Sequence, residues 1–105
     1  MVWEIARLDI HEGHNKAFEA ALTEAVPLFA RAHGCRGMQV QHSTEHPQRY
    51  YLIVDWNTLE DHTVRFRESD DFARWRGLVG EHFAHPPVVE HTDRLDVGFT
   101  AEPVR

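Results

Sequence analysis

Tyr50-Tyr51-Leu52-Ile53-Val54-Asp55-Trp56 is the stretch on which the reading of the fold turns. Apart from Asp55 it is all apolar or aromatic, the composition of a strand covered on both faces, because a half-solvated strand would alternate with polar residues. Asn57-Thr58-Leu59-Glu60-Asp61 follows at once. Asn57 or Thr58 is suited to cap a helix there, and the acids behind them fall in its first turn, near the positive end of the helix dipole. A bulky Trp thus ends a core strand where a helix begins.

Downstream, Leu59, His62 and Phe66, then Phe72, Trp75 or Arg76 and Val79, recur at helical spacing. Ser69-Asp70-Asp71 interrupts the run and recaps it, which predicts two short helices. Aromatic density of this kind is ordinarily hydrophobic core. Trp56, His62, Trp75 and Arg76, however, each carry a polar handle that needs a partner when buried. A polar-tipped aromatic pocket suits a planar, oxygenated ligand.

Upstream, Val2 to Ile10 predicts a first strand with Trp3 and Ile5 on one side and Ala6, Leu8 and Ile10 on the other, so it belongs inside the sheet. After the turn His11-Glu12-Gly13-His14-Asn15, the residues Phe18, Ala21, Leu22, Ala25, Val26 and Phe29 mark one face of a long amphipathic helix. Pro27 is expected to kink it and Gly34 to end it. Cys35 to Ser43 alternates Met38, Val40 and His42 with Gln39, Gln41 and Ser43, a strand with unequal faces. Thr44-Glu45-His46-Pro47-Gln48 reads as a hairpin loop. His85-Pro86-Pro87 stops the second helical region, Val88 to Phe99 reads as a last strand, and Ala101 to Arg105 as a frayed, flexible tail.

The order strand, helix, strand, strand, helix, strand is the ferredoxin-like βαββαβ split unit, an α+β fold whose antiparallel sheet carries both helices on one face. Residues 1–100 are expected to form the single domain and 101–105 the tail. The other face of the sheet is also apolar on the first and third strands and needs cover. A homodimer with two sheets face to face, and the last strand reaching the partner, is the economical arrangement.

Composition narrows the partners. The 105 residues carry a formal charge of −6 with His neutral, and the basic residues are scattered, which argues against nucleic acid or an anionic membrane. The single cysteine, Cys35, cannot form an intrachain disulfide and fits a reducing compartment. No apolar run approaches a membrane span and the amino end has no signal-peptide pattern. The expectation is a soluble cytoplasmic protein.

Taken in order, His11-Glu12-Gly13, His33-Gly34-Cys35-Arg36-Gly37, Trp56-Asn57-Thr58-Leu59-Glu60, Ser69-Asp70-Asp71-Phe72 and Pro86-Pro87-Val88-Val89-Glu90-His91 resemble the antibiotic biosynthesis monooxygenase superfamily of dimeric α+β barrels over nearly the whole chain. The resemblance implies small aromatic substrates, dioxygen and no cofactor. The members acting on anthrone-type intermediates look similar without a gap from the third strand through the second helix. On that comparison Trp56, Phe66 and Arg76 match pocket residues. His62 stands where such an enzyme has Tyr, and Leu52 where it has a catalytic-type Asn.

The implied chemistry needs no metal. A phenol or hydroquinone that loses a proton becomes an anion able to pass one electron to dioxygen, after which the radicals recombine; the protein supplies a base, a cation and a dry cavity. His62 is the natural base by its reference pKa. Arg76 can hold an oxyanion, worth roughly 1.5–3 kcal/mol as a charged hydrogen bond. Trp56 and Trp75 are expected to sandwich the ring, with Phe66, Leu52, Trp3 and Met38 as further substrate-binding walls. The bland alternative makes His62 a surface helix residue and Arg76 a solvent-facing partner of Asp71 or Glu81.

Three other readings stay open. Some relatives bind and degrade heme, using an Asn on the first strand and an axial His on the second helix; here those positions fall at Ala6 and near Trp75 or Arg76, leaving His82 or His85 as substitutes. The pairs His11 and His14, or His82 and His85, with Glu12 and Glu81 alongside, invite a metal, but metal sites need three or four converging ligands and none is expected. Lastly, a small aromatic-pocket dimer can serve as a binding or accessory module, since fold alone does not fix function.

Overall fold

The computed structural model describes residues 1–103. Its elements are β1 (Val2–Asp9), α1 (Asn15–Ala30), β2 (Cys35–His42), β3 (Arg49–Trp56), a π-helical segment (Asp61–Phe66), α2 (Asp70–Val79), a 3-10 turn (Gly80–His82) and β4 (Val88–Thr92). The four strands form one antiparallel sheet in the order β2-β3-β1-β4. This is the ferredoxin-like α+β arrangement, with the most apolar strands, β1 and β3, in the centre. Residues 104 and 105 of the expected tail lie outside the described residues.

The period of two along the central strands sorts their side chains between two faces. Val2, Glu4, Ala6 and Leu8 on β1, and Tyr50, Leu52, Val54 and Trp56 on β3, are buried beneath the helices. The intervening Trp3, Ile5, Tyr51 and Ile53 are only half-buried on the opposite face. Burial of β3 on both faces, expected from its composition, is therefore complete on one face only within a single chain.

Helix α1 closes the core with Phe18, Ala21, Leu22, Ala25, Leu28 and Phe29. Leu28 takes the place expected of Val26, which is 48 % exposed. The steps of three and four residues from Phe18 reach Leu28 and Phe29 but carry Val26 off the buried stripe. Pro27 is accommodated inside the helix, and its carbonyl still accepts from the Arg31 amide at 3.2 Å. Gly34 then turns the chain at φ +79°, and any side chain there would run into the Asp61 carboxylate.

The capping signals act as read. Thr58 Oγ1 accepts from the Asp61 amide, and Ser69 Oγ accepts from the Phe72 amide at 3.2 Å, opening α2. Between them the backbone closes wide, with the Arg67 amide donating to the His62 carbonyl at 3.3 Å, five residues back. That π-helical geometry turns Asp61, His62 and Phe66 all inward.

The last strand is shorter than its sequence pattern predicts. It ends at Thr92, paired with Trp3, one residue short of the start of β1. From Asp93 to Pro103 no regular structure forms, and Leu95, Val97 and Phe99 are 73 %, 86 % and 93 % exposed. No helix among the described residues is long and apolar enough to cross a membrane.

Candidate active site

Between the buried face of the sheet and the second helical region lies a cavity of about 530 Å³. Ala6 and Leu8 from β1, Leu52 from β3 and Val89 from β4 form its floor, with Phe72 and Trp75 from α2 opposite. The segment Phe83-Ala84-His85-Pro86-Pro87 lines one end. It is pinned to the sheet by the Ile10/Phe83 bridge and by hydrogen bonds from the Ala84 amide to Asp9 and from the His11 amide to His82.

Five groups break this apolar lining: Glu4, His62, Arg67, Arg76 and His85. Glu4 is the unusual one, a carboxyl on the core parity of a central strand and only 5 % exposed. Its Oε1 accepts from Trp56 Nε1 at 3.0 Å and lies 3.3 Å from His62 Nε2. Its Oε2 has no protein partner among the described residues. His62 Nδ1 in turn meets His91 Nε2 at 2.8 Å. The register explains the grouping: Glu4 stands opposite Val54 on one side and His91 on the other, Trp56 is its diagonal neighbour on β3, and His62 descends onto the three from the π-helical segment.

Burial sets the protonation of this chain. Loss of hydration pushes the Glu4 carboxyl up to about 7, against the opposing Trp56 hydrogen bond and Arg67 charge. Burial, helped by the charges of Arg67 and His91, lowers His62 to about 4. His91 is also lowered, by burial and then Arg67. Near neutral pH both imidazoles are therefore uncharged and Glu4 is poised between its two forms, the condition under which a carboxylate works as a general base.

Arg67 and Arg76 complete the polarity. Arg7, Arg31, Arg36, Arg49, Arg65 and Arg74 all pair with aspartates. Arg67 and Arg76 make no ion pair or side-chain hydrogen bond among the described residues, and both line the cavity while reaching solvent. Asp71, a candidate partner for Arg76, is taken by Arg31 at 2.7 Å and Arg74 at 2.6 Å.

Of the residues singled out from sequence, His62, Trp75, Arg76 and Leu52 come together around this cavity. Trp56 does not line it; it is fully buried, stacked on the His62 ring with centroids 5.3 Å apart, and spends its N–H on Glu4. A sandwich of a ligand between Trp56 and Trp75 is thus closed off, because an imidazole already covers the Trp56 face. Phe66 packs among Phe29, Phe72 and Trp56 behind the lining. Trp3 lies on the opposite face of the sheet, and Met38 borders a separate groove with Leu22, Val26 and Tyr50.

Sequence reasoning passed over Glu4, Arg67 and His91. Glu4 had a signal, since it shares the parity of Ala6, Leu8 and Ile10, where a charge is costly unless compensated. Among the histidines, His82 Nδ1 faces His14 Nδ1 at 3.0 Å, while His85 lines the cavity. No group of three or more His, Cys, Asp or Glu among the described residues is placed to hold a metal ion.

Comparison with known proteins agrees with this architecture. A Bordetella bronchiseptica crystal structure of the antibiotic biosynthesis monooxygenase type is 49 % identical, covers 90 % of this chain and 96 % of its own, and superposes with a TM-score of 0.88. The uncharacterized protein YczJ of Bacillus subtilis is 37 % identical over 91 residues, which are 87 % of this chain and 96 % of that protein. SnoaB, a cofactor-independent oxygenase from Streptomyces nogalater, shares the fold at a TM-score of 0.76 and 14 % identity, with 91 % and 94 % of the two chains covered. The sequence profile of the antibiotic biosynthesis monooxygenase family matches residues 1–78, from the strand that carries Glu4 to the helix that carries Trp75 and Arg76, and the chain belongs to that family.

Proposed function

We propose that this protein is a cofactor-independent monooxygenase that oxidises a quinol or polycyclic phenol of the anthrone type with dioxygen. One observation carries the reading: a buried carboxyl with its pKa near neutrality opens onto a largely apolar cavity that also holds two unpaired guanidinium groups. About 530 Å³ is within the range of small-molecule sites and accommodates a fused three-ring ligand.

In this reading Glu4 rather than His62 takes the substrate proton. An imidazole held at about 4 is a weak base, whereas a carboxylate at about 7 matches the task. Arg76 and Arg67 stabilise the oxyanion as it forms. Leu52, Trp75 and Phe72 hold the ring system and keep water away. The electron-rich anion then passes an electron to dioxygen; recombination and loss of water turn an anthrone methylene into a carbonyl, the second oxygen atom leaving in that water.

The test is dioxygen uptake by metal-stripped protein with 1,8-dihydroxyanthrone and 2-methyl-1,4-naphthohydroquinone, beside Arg76→Ala. Uptake above the spontaneous rate is expected. Arg76→Ala should reduce kcat/KM about 10- to 100-fold, the value of one charged hydrogen bond, without lowering Tm. Equal losses of activity and Tm would remove Arg76 from the site. No uptake, with the ligand still quenching Trp fluorescence, would make the protein a binding or accessory module.

The working form in this proposal is a cytoplasmic homodimer. Half-buried Trp3, Ile5, Tyr51 and Ile53 on the face away from the helices would be covered by the same face of a second copy. The exposed alternation of Leu95, Val97 and Phe99 would lie along the partner. A monodisperse monomer at micromolar concentration in light scattering would exclude it.

A further inference from the structure

We infer that Glu4, His62 and His91 form a proton relay connecting the cavity with the outer surface of the protein. The inference rests on the proposed oxygenase reading for its use, and on geometry for its existence.

The three groups are in line and serve different spaces. Glu4 and His62 line the cavity. His91 does not; it borders a separate shallow depression formed by Met1, Val2, Asn57, Thr58, Leu59, Thr92 and Asp93. The joints are 3.3 Å from Glu4 Oε1 to His62 Nε2 and 2.8 Å from His62 Nδ1 to His91 Nε2. Each imidazole therefore presents one nitrogen toward the cavity side and one toward the exit, the arrangement that lets a neutral ring take a proton on one atom and release another. The His62 ring is fixed between the Trp56 face and Phe66.

A substrate filling the cavity would cover Glu4, only 5 % exposed, and hold back the proton that it takes. In discharge, the carboxyl proton of Glu4 passes to His62 Nε2, the proton on His62 Nδ1 moves to His91 Nε2, and the proton on His91 Nδ1 leaves to water. The Glu4 carboxylate is restored, one proton has crossed, and both rings have exchanged tautomers; the reverse sequence brings a proton back to the peroxide that loses water, so the cycle releases none in net and both tautomers are reset. A relay of neutral imidazoles needs a pH at which none is held charged. The neighbouring Arg67 charge acts in that sense, disfavouring imidazolium on both His62 and His91; Arg76 and His85 also line the cavity, and Asp93 lies at the outer end.

Two measurements test the relay and separate it from the oxygenase reading. The first is ring-¹⁵N NMR of histidine-labelled protein between pH 5 and 9. His62 should stay neutral, and the two rings should exchange tautomers together at the Glu4 titration and stop doing so in Glu4→Gln. Independent behaviour of the two rings would overturn the relay whether or not the protein is an oxygenase. The second is turnover of 1,8-dihydroxyanthrone by His91→Ala. We expect kcat to fall 5- to 20-fold with KM unchanged, a solvent deuterium isotope effect larger than in wild type, and recovery on adding imidazole. Wild-type turnover with His91→Ala unaffected, or slowed without rescue, would overturn the relay and leave the oxygenase standing. Absent wild-type turnover would sink the oxygenase and leave the relay to the NMR result.

Discussion

Glu4 and Asp9 sit on the same strand and point to opposite faces of the sheet. Asp9 meets Arg49 at 2.9 Å and Arg7 at 3.2 Å. Burial pushes its carboxyl up, but the Arg49 hydrogen bond and the two guanidinium charges outweigh that and hold it below the usual range. Glu4 receives one indole N–H and lies beside one neutral imidazole instead, and burial wins. A carboxylate with arginines in contact is held ionised and structural. One given only neutral partners keeps its proton near pH 7 and remains free for chemistry.

The arginines show the same division. Arg7, Arg31, Arg36, Arg49, Arg65 and Arg74, outside the cavity, are matched with Asp9, Asp55, Asp61 or Asp71. Arg67 and Arg76 have no protein partner among the described residues and line the cavity. Had either reached Glu4, the carboxyl would be an ion-pair partner rather than a base. Distance across an empty space, which a ligand can fill, preserves both reactivities.

The harshest way to break the contrast is Glu4→Gln. It should lower dioxygen uptake by at least about 100-fold, the usual worth of a positioned general base. The same substitution should stabilise the fold at pH 8 by roughly 1–3 kcal/mol, since it removes a buried charge while keeping an acceptor for Trp56. Urea denaturation at pH 8 beside oxygen-electrode assays checks both. Activity and stability falling together would show that Glu4 is a structural group like Asp9.

The pH dependence of stability sharpens the comparison. Glu4 binds its proton more tightly folded, at about 7 against 4.5, so its contribution is full at low pH and is lost as pH rises through about 7. His62 binds its proton less tightly folded, at about 4 against 6.5, so its contribution is full above 6.5 and is lost as pH falls to about 4. His91 acts in the same sense as His62. Between about 4.5 and 6.5 the two slopes oppose, and wild-type stability should be nearly flat. Glu4→Gln should then expose a rise with pH of roughly 2–3 kcal/mol over that window. A flat profile in the variant would mean that His62 is not desolvated.

A gentler change is Trp56→Phe, which keeps a ring against His62 but removes the N–H. It should cost about 1–2 kcal/mol and move the Glu4 titration upward, because the carboxylate loses its one neutral donor. An unchanged midpoint in a ¹³C-carboxyl NMR titration would show that the indole bond contributes nothing to Glu4. On the other face, Arg49→Gln should have the smallest effect, at most about 1 kcal/mol at pH 7. Asp9 should then titrate nearer its ordinary value, so that stability begins to fall at a higher pH on acidification.

Much of this was legible in the chain. The apolar run Tyr50–Trp56, the caps at Thr58 and Ser69 and the helical spacing of His62, Phe66, Trp75 and Val79 depend on neighbours close in sequence, and they fixed the order of elements. Leu52, His62, Trp75 and Arg76 line one cavity for the same reason, being on adjacent elements. Glu4 and His91 were not legible in that way, although each occupies the core parity of its strand. They are separated from His62 by 58 and 29 positions, a span over which spacing carries no information. Trp3 and Trp56 went to different faces than their shared aromatic character suggested.

By itself the sequence determined that the strands alternate, where the helices start and stop, and that Trp56, His62, Phe66, Trp75 and Arg76 fall on neighbouring elements, because these follow from local backbone chemistry and side-chain periodicity. Only the tertiary structure decided that Glu4 meets no arginine among the described residues, that Trp56 serves the carboxyl instead of a ligand, and that Arg67 and Arg76 line the cavity. Those outcomes depend on the β1–β3 and β1–β4 registers and on the wide turn at His62. Protonation and reactivity follow from which charges converge in the low-dielectric interior, a property of three-dimensional distance rather than of order along the chain.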